Sequence, residues 1–124
     1  MDAHRAKRLV WIASSKKDLL SLPDEVIKSV GYSLHCAQAG LVPPGVKALK
    51  GFQGAGVLEV VEDHDSNTYR AVYTLRFEDA VFVLHCFQKK SKTGVATPKA
   101  DIELIKSRLN RAKQVYEDMK NGKV

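Results

Sequence analysis

The sequence is short of several things, and each shortage closes off a class of protein. Its 124 residues include two cysteines, Cys36 and Cys86. They are not spaced as a CxxC pair and no secretory signal is recognisable, so a disulfide-stapled secreted domain is not expected. The expectation is a cytoplasmic, reducing setting with two buried thiols. The longest uninterrupted apolar runs, such as Ala80 to Leu84, are far short of a membrane span. The four histidines, His4, His35, His64 and His85, lack metal-ligand spacing, so neither a metal nor another cofactor is expected. Gly51, Gly54 and Gly56 do not stand between a strand and a helix, which argues against a dinucleotide-binding turn.

What the chain does have is enough apolar material for one core. Hydrophobic residues make up 44% and charged residues 27%, an ordinary globular balance. One domain over residues 1–124 is expected, with 1–7 as a frayed tail. The net charge of +6 is unevenly placed. Residues 1–88 carry ten Lys or Arg against ten Asp or Glu, whereas residues 89–124 carry ten against four. Such an excess in one part of a small domain points either to a polyanionic partner or to a solvated basic helix.

Periodicity sets the expected elements. Leu9 to Ile12 reads as a strand, and Ser14 or Ser15 can cap a short helical turn through Leu20. Pro23 suits a first helical position, and Val26, Ile27, Val30, Leu34 and Ala37 recur at helical spacing to about residue 39. Residues 41–56 are punctuated by Pro43, Pro44 and glycines and read as a loop carrying Lys47 and Lys50. Strands at about 57–63 and 68–77 form a hairpin around Asp63 to Asn67. Ala80 to Gln88 reads as a central strand buried on both faces. A polar basic loop follows. Thr97 then suits the cap of a helix beginning at Pro98, with Ile102, Ile105, Leu109, Ala112, Tyr116 and Met119 on its apolar side.

The second hairpin strand separates two faces. Tyr69, Ala71, Tyr73, Leu75 and Phe77 fall on one by the two-residue period, and Arg70, Val72, Thr74 and Arg76 on the other. A mid-strand arginine costs desolvation unless it is partnered. Two fates are open to Arg70: a salt bridge to Glu59 or Glu62 on the adjacent strand, or a place in an anion site. The last strand ends in Lys89 and Lys90, which point to opposite faces, so one can share the side of Arg70. Lys47, Lys50, Arg70, Lys89 and Lys90 could therefore converge. Clustered cations stabilise the charge that builds up at a phosphodiester under attack. RNA brings its own 2′-hydroxyl nucleophile. His64, in the hairpin turn, is a weak candidate for an auxiliary acid or base. His35 and His85 read as core or boundary residues.

At these residues the chain resembles a known family. Lys47-Ala48-Leu49-Lys50-Gly51-Phe52, Tyr69-Arg70-Ala71-Val72-Tyr73 and the run from Leu84 through Phe87-Gln88-Lys89-Lys90-Ser91 to Thr97-Pro98 are similar to the phage-derived-protein branch of the RelE/HigB toxins of type II toxin–antitoxin systems. The similarity extends over residues 8–116. It implies a small α+β, RelE/ParE-like domain: a twisted antiparallel sheet of about four strands, two helices near the amino end and one near the carboxyl end. It implies an endoribonuclease that cuts mRNA, on the ribosome in many relatives, and a helix-turn-helix antitoxin partner. Arg70, Lys89 and Lys90 match the family's catalytic basic residues. Lys47, Lys50, His64, Arg76 and Lys92 are the expected substrate contacts. Some relatives use a carboxyl-terminal tyrosine or histidine, but Tyr116 reads here as core. The superfamily also holds toxins that poison DNA gyrase, and an inert nucleic-acid-binding module is a third reading.

Overall fold

The computed structural model describes residues 6–52, 54, 56–89 and 97–122. The element order is β1 (Arg8–Trp11), α1 (Ser15–Leu20), α2 (Asp24–Gln38), β2 (Val46–Ala48), β3 (Val57–His64), β4 (Asn67–Thr74), β5 (Ala80–Lys89) and α3 (Lys99–Lys120). The five strands form one sheet in the order β1-β5-β4-β3-β2. β2, β3, β4 and β5 are antiparallel neighbours, and β1 runs parallel to β5. The sheet is thus mixed and has one more strand than expected. The extra one is β2, three residues long and set among prolines and glycines, too short to show a periodicity of its own.

Helices cover both faces. Val26, Val30, Leu34 and Ala37 of α2 pack with Leu19 of α1 against Val60, Tyr69, Ala71, Tyr73, Val81 and Val83. Ile105, Leu109 and Ala112 of α3 pack on Val57, Val72, Phe82 and Leu84 of the opposite face. Filling both sides explains why β5 reads as one continuous apolar run. Truncating a fully buried residue such as Ile105 would cost about 2–5 kcal/mol. Among the described residues, no helix is long and apolar enough to cross a membrane.

Several local expectations change. Residues 1–5 lie outside the described region, but Lys7 is tied down: its backbone N–H donates to the Gln38 carbonyl at 2.9 Å and its carbonyl accepts from the Gln38 amide at 2.7 Å. Pro23 and Pro98 sit one position before their helices, at the caps. Ser14 does stand at the cap of α1, yet its hydroxyl donates to the Asp18 carboxylate at 2.7 Å and accepts no backbone N–H of the first turn. β4 ends at Thr74, and with the alternation over, Phe77 swings to the α3 side to meet Phe82 at 5.1 Å between ring centroids. His35 is exposed on α2, because the buried stripe runs through Ser33, Leu34, Cys36 and Ala37. His85 and the two free thiols are buried, as the sequence suggests.

One irregularity in β5 matters for the site. Val72 pairs with His85 but Tyr73 pairs with Val83, so Leu84 is an extra residue on β5. Bulges of this kind re-aim the side chains that follow them. Phe82 and Leu84 face α3, and beyond the bulge His85 and Phe87 do so as well. The shift places Lys89, two residues past Phe87, on the α3 side. Arg108 of α3 donates to the Leu84 carbonyl at 2.9 Å and fastens the bulge.

A basic cleft around the Arg70 and Glu59 pair

Alternation along three strands assembles the site. Glu59 of β3 pairs across with Lys47 of β2, and Arg70 of β4 pairs across with Phe87 of β5. Glu59, Arg70 and Val72 share the face that α3 covers, but α3 begins only at Lys99, so its first turn is the wall of an opening. The result is a cleft of about 400 Å³ lined by Lys47, Ala48, Leu49, Lys50, Gly51, Glu59, Arg70, Thr97 and Ile102.

Arg70 takes the first of its two fates. Its Nη1 donates to Glu59 Oε2 at 2.6 Å, with the two side chains 6% and 3% exposed. The same Nη1 donates to Thr97 Oγ1 at 3.0 Å, and that hydroxyl donates to Glu59 Oε2 at 3.0 Å. A carboxylate, a guanidinium and a hydroxyl thus form a closed triangle at the wall of the cleft. Thr97 does not cap α3; its hydroxyl is spent here instead.

Lys89 is within electrostatic reach of Arg70 and Glu59 and retains 5% of its surface. Burial lowers its pKa, Arg70 and Lys47 lower it further, and Glu59 opposes them. Those neighbours put Lys89 in the same cluster as the cleft residues. Farther back along β5, His85 Nε2 meets Asp101 Oδ1 at 2.8 Å and its ring stacks on Phe87 with centroids 4.4 Å apart. With the proton assigned to Nε2, His85 donates to Asp101 and pins the first turn of α3 to the sheet. Burial depresses the His85 pKa, against the pull of Asp101.

Of the expected site residues, Lys47, Lys50, Arg70 and Lys89 are brought together. Lys90 and Lys92 lie outside the described residues. His64 is not brought in: it belongs to the alternate positions of β3, on the α2 side, and its ring lies 3.4 Å from Asp65. Arg76 is also left out. It is exposed and lies beyond the end of β4, far along the strand from Arg70. Tyr116 packs on Phe77 and Phe82, as a core residue would. Cys86 is buried, and burial pushes its thiol up to about 12, which makes it inert as a nucleophile.

Glu59 and Thr97 belong to the site but are only faintly marked in the sequence. Glu59 stands in Val57-Leu58-Glu59-Val60-Val61, an acid at an inward position of an apolar strand, and that misfit was the available signal. Thr97 gave no signal beyond its suitability as a cap.

The family model for phage-derived Gp49-like proteins matches residues 17–110. The chain belongs to this family. The family is one of RelE/HigB-like toxins. In three dimensions the chain is similar to a free-state double arginine-to-alanine mutant of the E. coli toxin RelE, with a TM-score of 0.55, 16% identity, and coverage of 86% of this chain and 97% of that one. At such identity the likeness concerns the fold, which is the RelE fold with its mixed sheet. No curated protein matches the chain in sequence.

Proposed function

We propose that this Gp49-like protein is the toxin of a toxin–antitoxin pair and acts as a metal-independent endoribonuclease on mRNA, working at the ribosome. The observation that carries the reading is an open cleft lined by Lys47, Lys50, Arg70 and one carboxylate, Glu59, with the buried Lys89 within electrostatic reach of Arg70, Glu59 and Lys47. Three roles are needed to cut RNA through its 2′-hydroxyl: a base for the attacking oxygen, positive charge for the phosphate, and an acid for the departing 5′-oxygen.

The cluster can supply all three. Lys47 and Lys50 sit on the exposed rim, where they draw the RNA backbone in. An entering phosphate competes with Glu59 for Arg70, whose planar fork suits an anion with two oxygens. As Arg70 turns to the phosphate, Glu59 loses its strongest partner and becomes available to accept the 2′-hydroxyl proton. The 2′-oxygen attacks phosphorus, the bond to the 5′-oxygen breaks, and Lys89 protonates the leaving oxygen. The products are a 2′,3′-cyclic phosphate and a 5′-hydroxyl. Its depressed pKa makes Lys89 a better acid than an ordinary lysine. A helix-turn-helix antitoxin is the expected partner, in keeping with the family.

The test is expression in cells of a variant carrying Arg70→Ala and Lys89→Ala together. Growth inhibition should disappear while the protein stays folded by circular dichroism. Persistent toxicity of a folded double variant would remove the cleft from the mechanism and favour a gyrase-type target.

A further inference from the structure

We infer that the flank of α3 continuing from the cleft is a docking surface for the phosphate backbone of double-helical RNA. Lys99, Lys106, Lys113 and Lys120 recur every seven residues along the helix. Seven residues are almost two turns, so the four lie in one row that drifts by only about 20° per step. At 1.5 Å per residue they are spaced about 10.5 Å apart and the row is about 31 Å long.

Contacts elsewhere on α3 fix which way the row faces. Asp101 and Arg108 mark the other flank, reaching His85, the Leu84 carbonyl and Ser14. Ile102, on the lysine flank, lines the cleft. The row therefore begins at the cleft wall, directly after Thr97, and leads away from it. Lys99, Lys106 and Lys120 are exposed and Lys113 is half-buried. Glu103 and Glu117 stand three or four residues from these lysines, at helix spacings where pairing is usual. Even so, the ion pairs among the described residues include none of the four lysines. Lys120 does lie over the Tyr116 ring, 5.4 Å from its centroid.

The partner follows from what the row offers. Tyr116 is half-buried against Phe77 and Phe82, and among the described residues the row has no fully exposed aromatic neighbour, so it lacks the stacking platform that holds unpaired bases. A straight, rigid set of point charges instead fits a regular A-form backbone, which proteins recognise by shape and phosphate contacts. The inference rests on RNA being the substrate of the cleft: the row would hold a paired region while the unpaired strand beside it enters the cleft.

The experiment is titration of the full chain with an RNA duplex of about 16 base pairs across a range of salt concentrations. Lys99, Lys106, Lys113 and Lys120→Gln together should weaken binding at least about tenfold at low salt and flatten the plot of log K against log salt by about 3.6 units. Glu103→Gln with Glu117→Gln should strengthen binding. Lys16, Lys17 and Lys28→Gln, placed on α1 and α2, should leave the salt slope unchanged. The inference is overturned if the parent does not bind the duplex, or if the four-lysine variant binds it with the parental slope. Duplex binding that needs the row, in a protein that cuts no RNA, would sink the nuclease reading and leave the row standing. Cleavage with duplex binding indifferent to the row would do the reverse.

Discussion

Arg70 and Glu59 meet at 2.6 Å, two buried opposite charges at the wall of an open cleft. Breaking such a pair from one side strands the other charge in a poorly solvated place. Arg70→Met alone should therefore destabilise the fold by about 3–5 kcal/mol. Adding Glu59→Leu should restore most of that loss without restoring activity. Urea unfolding of the two variants measures the first statement and a growth assay the second.

Lys89 feels Lys47 across the cluster, and that repulsion helps depress its pKa. With Lys47→Gln the Lys89 pKa should rise. If protonated Lys89 is needed for cutting, activity falls as pH rises through its folded pKa, below lysine's ordinary 10.5. The alkaline limb of the rate profile should then move to higher pH in Lys47→Gln. Stability runs the other way: between the folded value and 10.5 the unfolded chain holds the proton and the native one does not, so folding gains as pH rises.

His85 carries a depressed pKa through burial, partly offset by Asp101. The unfolded chain binds the proton first as pH falls from 6.5, so native stability drops from there down to the lower folded value. Replacing His85 by Gln should remove that share of the acid sensitivity. The difference between parent and variant urea midpoints at pH 5 and at pH 7.5 reads it directly.

Gly56 immediately precedes β3 with φ at +61°, and a Cβ there would stand 3.2 Å from the Arg76 backbone nitrogen. Its carbonyl also accepts from the Leu75 N–H at 2.9 Å and from the Thr74 hydroxyl at 3.1 Å. Gly56→Ala combines a left-handed backbone with a tight contact and should cost about 1–3 kcal/mol. A thermal melt monitored by circular dichroism would show the loss.

The regular elements were legible because their periods are strong. Val26, Val30 and Leu34 announce α2, and the run Ala80 to Leu84 announces a strand with both faces covered. β2 was not legible, since three residues carry no period. The bulge at Leu84 was equally hidden, because it depends on how β4 and β5 settle against Arg108 and α3. That one extra residue sets the face on which Lys89 lies, a choice alternation alone left open. The cations Lys47, Lys50, Arg70 and Lys89 were named from sequence and do converge. His64 and Arg76 were misplaced for physical reasons: His64 follows the opposite parity of β3, and Arg76 lies past the point where β4 stops being a strand. The salt bridge of Arg70 was foreseen as one of two fates. What sequence could not show is that the salt bridge and the cleft occupy the same place.

The central claim is that this cleft cuts RNA, and mapping 5′ ends of cellular transcripts by primer extension after induction tests it most directly. The parent should produce discrete new 5′ ends, lost in the Arg70→Ala, Lys89→Ala variant. Intact transcripts accompanied by a DNA-damage response would contradict it.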